Sequence, residues 1–245
     1  DSIYNMVYRL DAMEAYNKRL VKKIAVKGIT ESGSTATDGF VYLESINLSK
    51  ADPTATIQFD YIGAKGLRKK TATVGIGYNL YDNSGESGKL DEYKEGFVVK
   101  SIDGRDNSVE FLNGIKIFAG DVIGKVSEDQ LRRIQIRETI LSHLERERQL
   151  FHKGIKVLSL FFIDEVAKYK QYDEAGHPFN GIYADMFEEE YNDILSSMQR
   201  EIGDEDYIRY LDAISAHDTH AGYFSVDKKG KMTDSKLSDK KEGTS

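Results

Sequence analysis

The stretch from Ile155 to Asp164, "IKVLSLFFID", constrains this chain more than any other. It is a continuous apolar run, stopped by Gly154 on one side and by Asp164 and Glu165 on the other. Strands with one wet face alternate apolar and polar residues, whereas strands covered on both faces do not, so the run predicts a buried strand of a parallel sheet. The residues before it agree. Ser127 and Gln130 form an S-x-x-Q capping box that opens a long predicted helix, "EDQLRRIQIRETILSHLERERQLFHKG". Leu131, Ile134, Leu141, Leu144 and Phe151 fall on one face of it, and Gly154 is its stop. A helix followed at once by a buried strand is half of an α/β unit.

The acidic close of the run raises a chemical question. A strand ending in Asp164 and Glu165 looks like a Walker B pair, in which one carboxylate holds Mg²⁺ and its neighbour polarises the attacking water. Such a pair needs a phosphate cradle. "GITESGST", Gly28 to Thr35, has the G-x-x-x-x-G spacing but carries Ser34 where the P-loop lysine should stand. The alternating "ATDGFVYLESINL" after it predicts another strand, not a helix N-terminus that could receive a phosphate. The segment is read as a polar hairpin turn. No triphosphate site, no catalytic residue and no ATPase activity are therefore expected of these residues alone.

Composition narrows the class. With 40% hydrophobic and 31% charged residues, a chain of 245 residues is globular and long enough for one large or two small domains. It has no cysteine, which excludes disulfides and thiolate metal sites and fits a reducing cytoplasm. No apolar run approaches the roughly 18 residues of a membrane span and no signal-peptide pattern opens the chain, so a cytoplasmic protein without a membrane partner is expected. The start at Asp1 and the polar end "DSKLSDKKEGTS" predict a fragment. The net charge is −7, and residues 128–245 alone hold 17 basic against 24 acidic side chains. Contact with a nucleic acid must then come from a local patch.

The sequence divides by texture. In residues 1–24, Leu10, Met13, Leu20 and Ile24 lie close to one helical stripe, predicting a helix. Residues 25–126 consist of short β-branched and aromatic runs between turn residues, which predicts six to eight strands in a β-rich, antiparallel small barrel or sandwich. Asn113 and Gly114 between "VEFL" and "IKIF" carry a type I′ hairpin signal. Residues 127–245 continue past the apolar run with a loop around "EAGHPFNG" and a helix with Phe187, Tyr191, Ile194 and Met198 inward. A shorter helix from about Glu205 to Ala216 and a hairpin, "GYFSVDKKGKM", complete the pattern.

Among candidate sites, "KGLRKK" is the best local one for phosphate: Lys65, Arg68, Lys69 and Lys70 cluster in a predicted turn between two strands. A solubilising turn is the competing reading. His217 and His220 offer two imidazoles, but no third ligand stands out in the sequence, and no metal is assigned. Glu188, Glu189 and Glu190 read as a solvated face near a helix N-terminus. Arg132, Arg133 and Arg137 read as facing water or a neighbouring domain.

"QIRETILSHLERERQLFHKGIKVLSLFFIDEVAKY", Gln135 to Tyr169, resembles the segment opening the second RecA-like domain of the Res subunit of type III restriction-modification enzymes, which are superfamily 2 helicase-like ATPases. "YRLDAMEAYNKRLVKKIAVKGI" and "HAGYFSVDKKGKMTDSK" look like the same proteins before and after it. The resemblance implies that residues 1–24 link from a first RecA-like domain, that residues 25–126 are an insert, and that residues 127–245 begin a partial RecA-like α/β domain. It implies a parent protein with ATP and Mg²⁺ as cofactors, and with duplex DNA and modification (methyltransferase) subunits as partners. In such proteins the P-loop lies upstream, motifs V and VI downstream, and the nuclease in a separate C-terminal domain. Two rival readings stand beside it: a noncatalytic DNA- or protein-binding module using the β-rich domain, and a stand-alone hydrolase using Asp164, Glu165 and the two histidines.

Overall fold

The computed structural model describes residues 9–22, 28–31, 38–49, 51–86, 88–198 and 204–234. The chain divides into two compact units, Asp1–Val126 and Ser127–Ser245. Both α and β structure are present and the paired strands are antiparallel with one exception. No helix of the described residues is long and apolar enough to cross a membrane.

The described residues of the first unit begin with a short helix, α1 (Ala12–Asn17), capped by the Asp11 carboxylate on the Glu14 amide. The expected longer helix stops here because Arg19 adopts φ 58, which lets the Leu20 amide reach the Ala15 carbonyl and the Arg19 amide reach that of Tyr16. That is the closing geometry usually given to glycine. Leu10, Met13 and Leu20 are exposed, so the predicted stripe is not a buried one, and Ile24 lies outside the described residues.

Eight strands follow among the described residues: β1 (Thr30–Glu31), β2 (Val41–Asn47), β3 (Thr54–Gly63), β4 (Gly66–Val74), β5 (Val99–Asp103), β6 (Ser108–Phe111), β7 (Lys116–Phe118) and β8 (Asp121–Ile123). They form a five-stranded sheet in the order β1-β8-β2-β3-β4 and a three-stranded sheet β5-β6-β7. The two sheets do not close into a barrel. One core serves both, with Leu43, Ile57 and Phe59 from the first sheet and Val99, Val109, Phe111 and Ile117 from the second. The pairing is not wholly antiparallel either, since β1 runs parallel to β8. Only Gly28 to Glu31 of the "GITESGST" stretch fall within the described residues, so the expected hairpin turn there lies largely outside them.

In the β6–β7 turn only Gly114 is left-handed, at φ 84, while the Gly114 amide bonds the Phe111 carbonyl and the Phe111 amide bonds Ile115. This is a three-residue loop with a glycine bulge, not the expected two-residue type I′ turn. The β3–β4 turn is shorter, with Ala64 and Lys65 between the paired Gly63 and Gly66, the latter at φ 108. Tyr93, from a short 3-10 helix (Asp91–Tyr93), is fully buried. Its hydroxyl donates to the Phe40 carbonyl at 2.6 Å and accepts from the Asp60 amide at 2.8 Å.

The second unit begins with α2 (Glu128–Phe151), opened by the predicted capping box: the Gln130 amide donates to Ser127 Oγ and the Ser127 amide to Gln130 Oε1. α3 (Ile182–Ser197) packs on it, and α4 (Glu205–Asp212) completes the helical core. Ile136, Ile140 and Leu144 of α2 meet Met186, Tyr191 and Ile194 of α3 and Tyr207 and Leu211 of α4. Between α2 and α3 the loop expected around "EAGHPFNG" is a short hairpin, β9 (Lys170–Tyr172) with β10 (Pro178–Asn180). The predicted C-terminal hairpin is present as β11 (Ser225–Val226) and β12 (Met232–Thr233).

The apolar run from Ile155 to Ile163 departs from expectation. It belongs to no hydrogen-bonded strand among the described residues and is not buried on both faces. One side is held: Ser159 Oγ lies 2.9 Å from His143 Nδ1, and Phe161 meets the Phe187 ring edge-on at 6.0 Å. The alternate residues, Leu158 and Phe162, are each 90% exposed, and Leu160 is exposed beside them. The run alternates like a strand with one face packed. A sheet that would cover its other face is not among the described residues, which is why the reading of a doubly buried strand fails for this chain.

Candidate functional site

Three groups of polar side chains could carry chemistry. The first is the predicted basic cluster, which the structure splits. Lys65 sits at the tip of the β3–β4 turn, but Arg68, Lys69 and Lys70 lie on β4 itself, not in the turn. Residues two apart share a face of a strand. Accordingly Arg68 and Lys70 flank one ring, with the guanidinium 5.0 Å and the ammonium 4.7 Å from the Tyr61 centroid. Lys69 points the other way, where it is 18% exposed, ion-paired to Asp60 and 3.6 Å from the centroid of the Phe40 ring. The Tyr61 hydroxyl donates to Glu86 Oε1 at 2.7 Å, and this bond, with burial, raises its pKa.

The second group is Asp164 with Glu165. Lys168, one helical turn on, bonds Asp164 Oδ2 at 2.6 Å and lies 3.6 Å from Glu165. The hydrogen bond from Lys168 holds the Asp164 carboxyl below the usual carboxylate range. Both acids are exposed and engaged locally, an arrangement that closes a turn.

The third group is built on α3 and was not seen as a group in the sequence. Glu188, Glu189 and Glu190 stand in the middle of the helix, and only Glu189 is the solvated residue expected of all three. Glu190 is buried and takes Arg137 at 2.8 Å and Arg133 at 3.0 Å, both from α2. Arg137 is only 1% exposed and also meets Asp193 at 2.7 Å, so it faces neither water nor a neighbouring domain. Glu188 faces the opposite side. Its Oε1 lies 3.1 Å from His217 Nδ1, 3.2 Å from His220 Nε2 and 2.8 Å from the Asn180 amide nitrogen. Burial pushes its carboxyl upward, but the hydrogen bonds from Asn180, His217 and His220 outweigh this and hold it below the ordinary value. Gly222 follows His220 closely, and any side chain there would strike the rings of Tyr169 and Phe224.

No family model matches the chain, and no solved structure matches it. Two curated relatives do. The EcoP15I Res subunit of a type III restriction-modification enzyme of Escherichia coli is 29% identical over 237 residues, 93% of this chain and 22% of that protein. The EcoPI Res subunit of Escherichia phage P1 is 33% identical over 134 residues, 51% of this chain and 13% of that protein. The chain resembles part of these Res subunits and spans less than a quarter of the length of either.

In this Res-like chain the sequence-predicted residues do not converge. Lys65, Arg68 and Lys70 remain on the β3–β4 hairpin, with Lys69 on its other face. His217 and His220 do meet, and the third side chain that joins them, which the sequence did not reveal, is Glu188, 29 and 32 residues upstream. The only sequence signal for it was its place in a run of three glutamates, which periodicity alone could not divide among buried, exposed and site-facing roles.

Proposed function

We propose that this Res-like chain is part of the DNA-dependent ATPase, translocase and endonuclease subunit of a type III restriction system, contributing DNA-contacting and interdomain surfaces but no complete active site. What supports this reading is the similarity to two Res subunits, over 93% of the chain in one and 51% in the other; the one-sided run from Ile155 to Ile163, with Leu158, Leu160 and Phe162 turned to solvent, counts against a complete RecA-like half-domain within these residues. In a RecA-like α/β domain a strand in this position is covered on both faces. The uncovered face is then the surface on which the rest of that domain docks. ATP and Mg²⁺ belong, in this reading, to other parts of the longer protein, as do the contacts to modification subunits.

The DNA contact falls to the β3–β4 hairpin. Lys65 at the exposed tip and Arg68 and Lys70 along one face of β4 present three cations, while the net negative charge of residues 128–245 gives the chain no long-range attraction for a polyanion. Binding to duplex DNA is therefore weak, independent of sequence and steeply dependent on salt. Fluorescence anisotropy with a labelled duplex at low salt tests it. Arg68→Glu with Lys70→Glu removes most of the binding; unchanged binding overturns the hairpin assignment. ATP turnover by the purified chain that disappears in Asp164→Ala would overturn the absence of a complete active site.

A further inference from the structure

We propose that Glu188, His217 and His220 form a site for one divalent transition-metal ion of borderline softness, with Zn²⁺ as the reference ion. This rests on the geometry of the second unit alone and is independent of the DNA reading. The three ligand atoms, one from each residue, all lie within 4.8 Å of one another. When each donor stands about 2.0–2.1 Å from a tetrahedral ion, donors are about 3.3 Å apart. Glu188 Oε1 lies 3.1 Å from His217 Nδ1 and 3.2 Å from His220 Nε2, close to that edge length before any ion draws the ligands in.

The surroundings match those of metal sites. A ligating histidine usually has its other ring nitrogen fixed by a partner, which sets the tautomer and aims the donor lone pair. His220 Nδ1 is 2.9 Å from the Tyr169 hydroxyl, so Nε2 is the atom presented to Glu188. The same ring is 12% exposed and is packed edge-on against Phe187 and Tyr169. Asn180, at the end of β10, holds the carboxylate from outside the ligand set. The site is thus framed by α3, by the end of β10 and by the 3-10 turn at Ala216–Thr219. His217 is 64% exposed and gives an ion its way in.

The donor set selects the metal. Mg²⁺ and Ca²⁺ take oxygen ligands, whereas two imidazoles with one carboxylate suit Zn²⁺, Co²⁺ or Ni²⁺. Three protein ligands leave a fourth position for water. An ion here would clip the turn carrying His217 and His220 to α3, a link between residues that no disulfide can make in a chain without cysteine.

The test uses the untagged 245-residue chain, stripped with chelator and titrated with Zn²⁺ alone by calorimetry, and with Co²⁺ in the visible. One Zn²⁺ per chain is expected, with the strong visible bands of a tetrahedral Co²⁺ site, and a higher melting temperature when loaded. His217→Ala, whose exposed side chain leaves folding intact, should weaken Zn²⁺ binding at least about tenfold, and Tyr169→Phe by about 10- to 100-fold through His220. His152→Ala and His177→Ala should change nothing. Zn²⁺ binding equal to that of a His217→Ala, His220→Ala double variant, or a preference for Mg²⁺, overturns the proposal, and the cluster is then a hydrogen-bonded carboxylate only.

Discussion

Glu188 on α3 and His220, 32 residues later in the chain, stand 3.2 Å apart, with a single carboxylate oxygen serving two histidines and an asparagine. The carboxyl therefore titrates below its ordinary value of about 4.3. The sign follows from linkage: a carboxyl depressed in the folded state stabilises above the unfolded pKa, and that stability is lost as pH falls through the folded value. A chemical-shift titration of Glu188 should show the depressed pKa, and Asn180→Ala should raise it. A value at or above that of a free glutamate would contradict the hydrogen bonds described.

The pairing of Arg137 with Glu190 and Asp193 joins α2 to α3 inside the second unit. Removing one partner of a buried pair leaves the other charge without compensation, at a cost of about 3–5 kcal/mol. Urea unfolding of Glu190→Ala should show a loss of that size. Replacing Arg137 by methionine together with Glu190 by leucine should recover most of it.

Two lysines of the β3–β4 hairpin should behave differently. Lys69→Ala removes the partner of a partly buried Asp60 and should cost about 1–3 kcal/mol in a denaturant melt. Lys65→Ala, at the exposed turn, should stay within about 0.5 kcal/mol of the parent chain. Equal costs at both positions would mean that the strand does not present Lys69 to Asp60.

Leu158 and Phe162 are apolar yet turned outward. Leu158→Ser with Phe162→Ser should leave the melting temperature of this chain within a degree or two, since exposed positions tolerate change. It should also lower the binding of a hydrophobic dye. A large loss of stability would show that these side chains are buried in solution.

Local signals were legible where chemistry is local. The capping box at Ser127 and Gln130 marks the start of α2, and Tyr191 and Ile194 of α3 face inward as their helical spacing predicts. What failed depended on partners distant in sequence. A continuous apolar run specifies a strand that wants cover, not whether the chain supplies it, so Leu158 and Phe162 were misplaced. The Asn113 and Gly114 pair specified a tight turn but not its length, because one left-handed glycine fits a three-residue loop as readily as two left-handed residues fit a shorter one. Glu188 was missed because its role is set by Asn180, His217 and His220, which only the packing of α3 brings to it. Likewise, the alternation of β4 sends Lys69 to the face opposite Arg68 and Lys70, a division that a basic run seen as a turn conceals.

Tyr93 has one more consequence. Its hydroxyl takes the Asp60 amide proton and gives its own to the Phe40 carbonyl, so it adds a side-chain rung to the ladder just beyond Val41 and Phe59. Because the phenol is buried, that amide cannot meet solvent by fraying of the strand end alone; the 3-10 turn from Asp91 to Tyr93 must leave the core first. Deuterium should therefore replace the Asp60 amide proton at a rate set by opening of the first unit as a whole, while amides at the nearby hairpin tip exchange quickly.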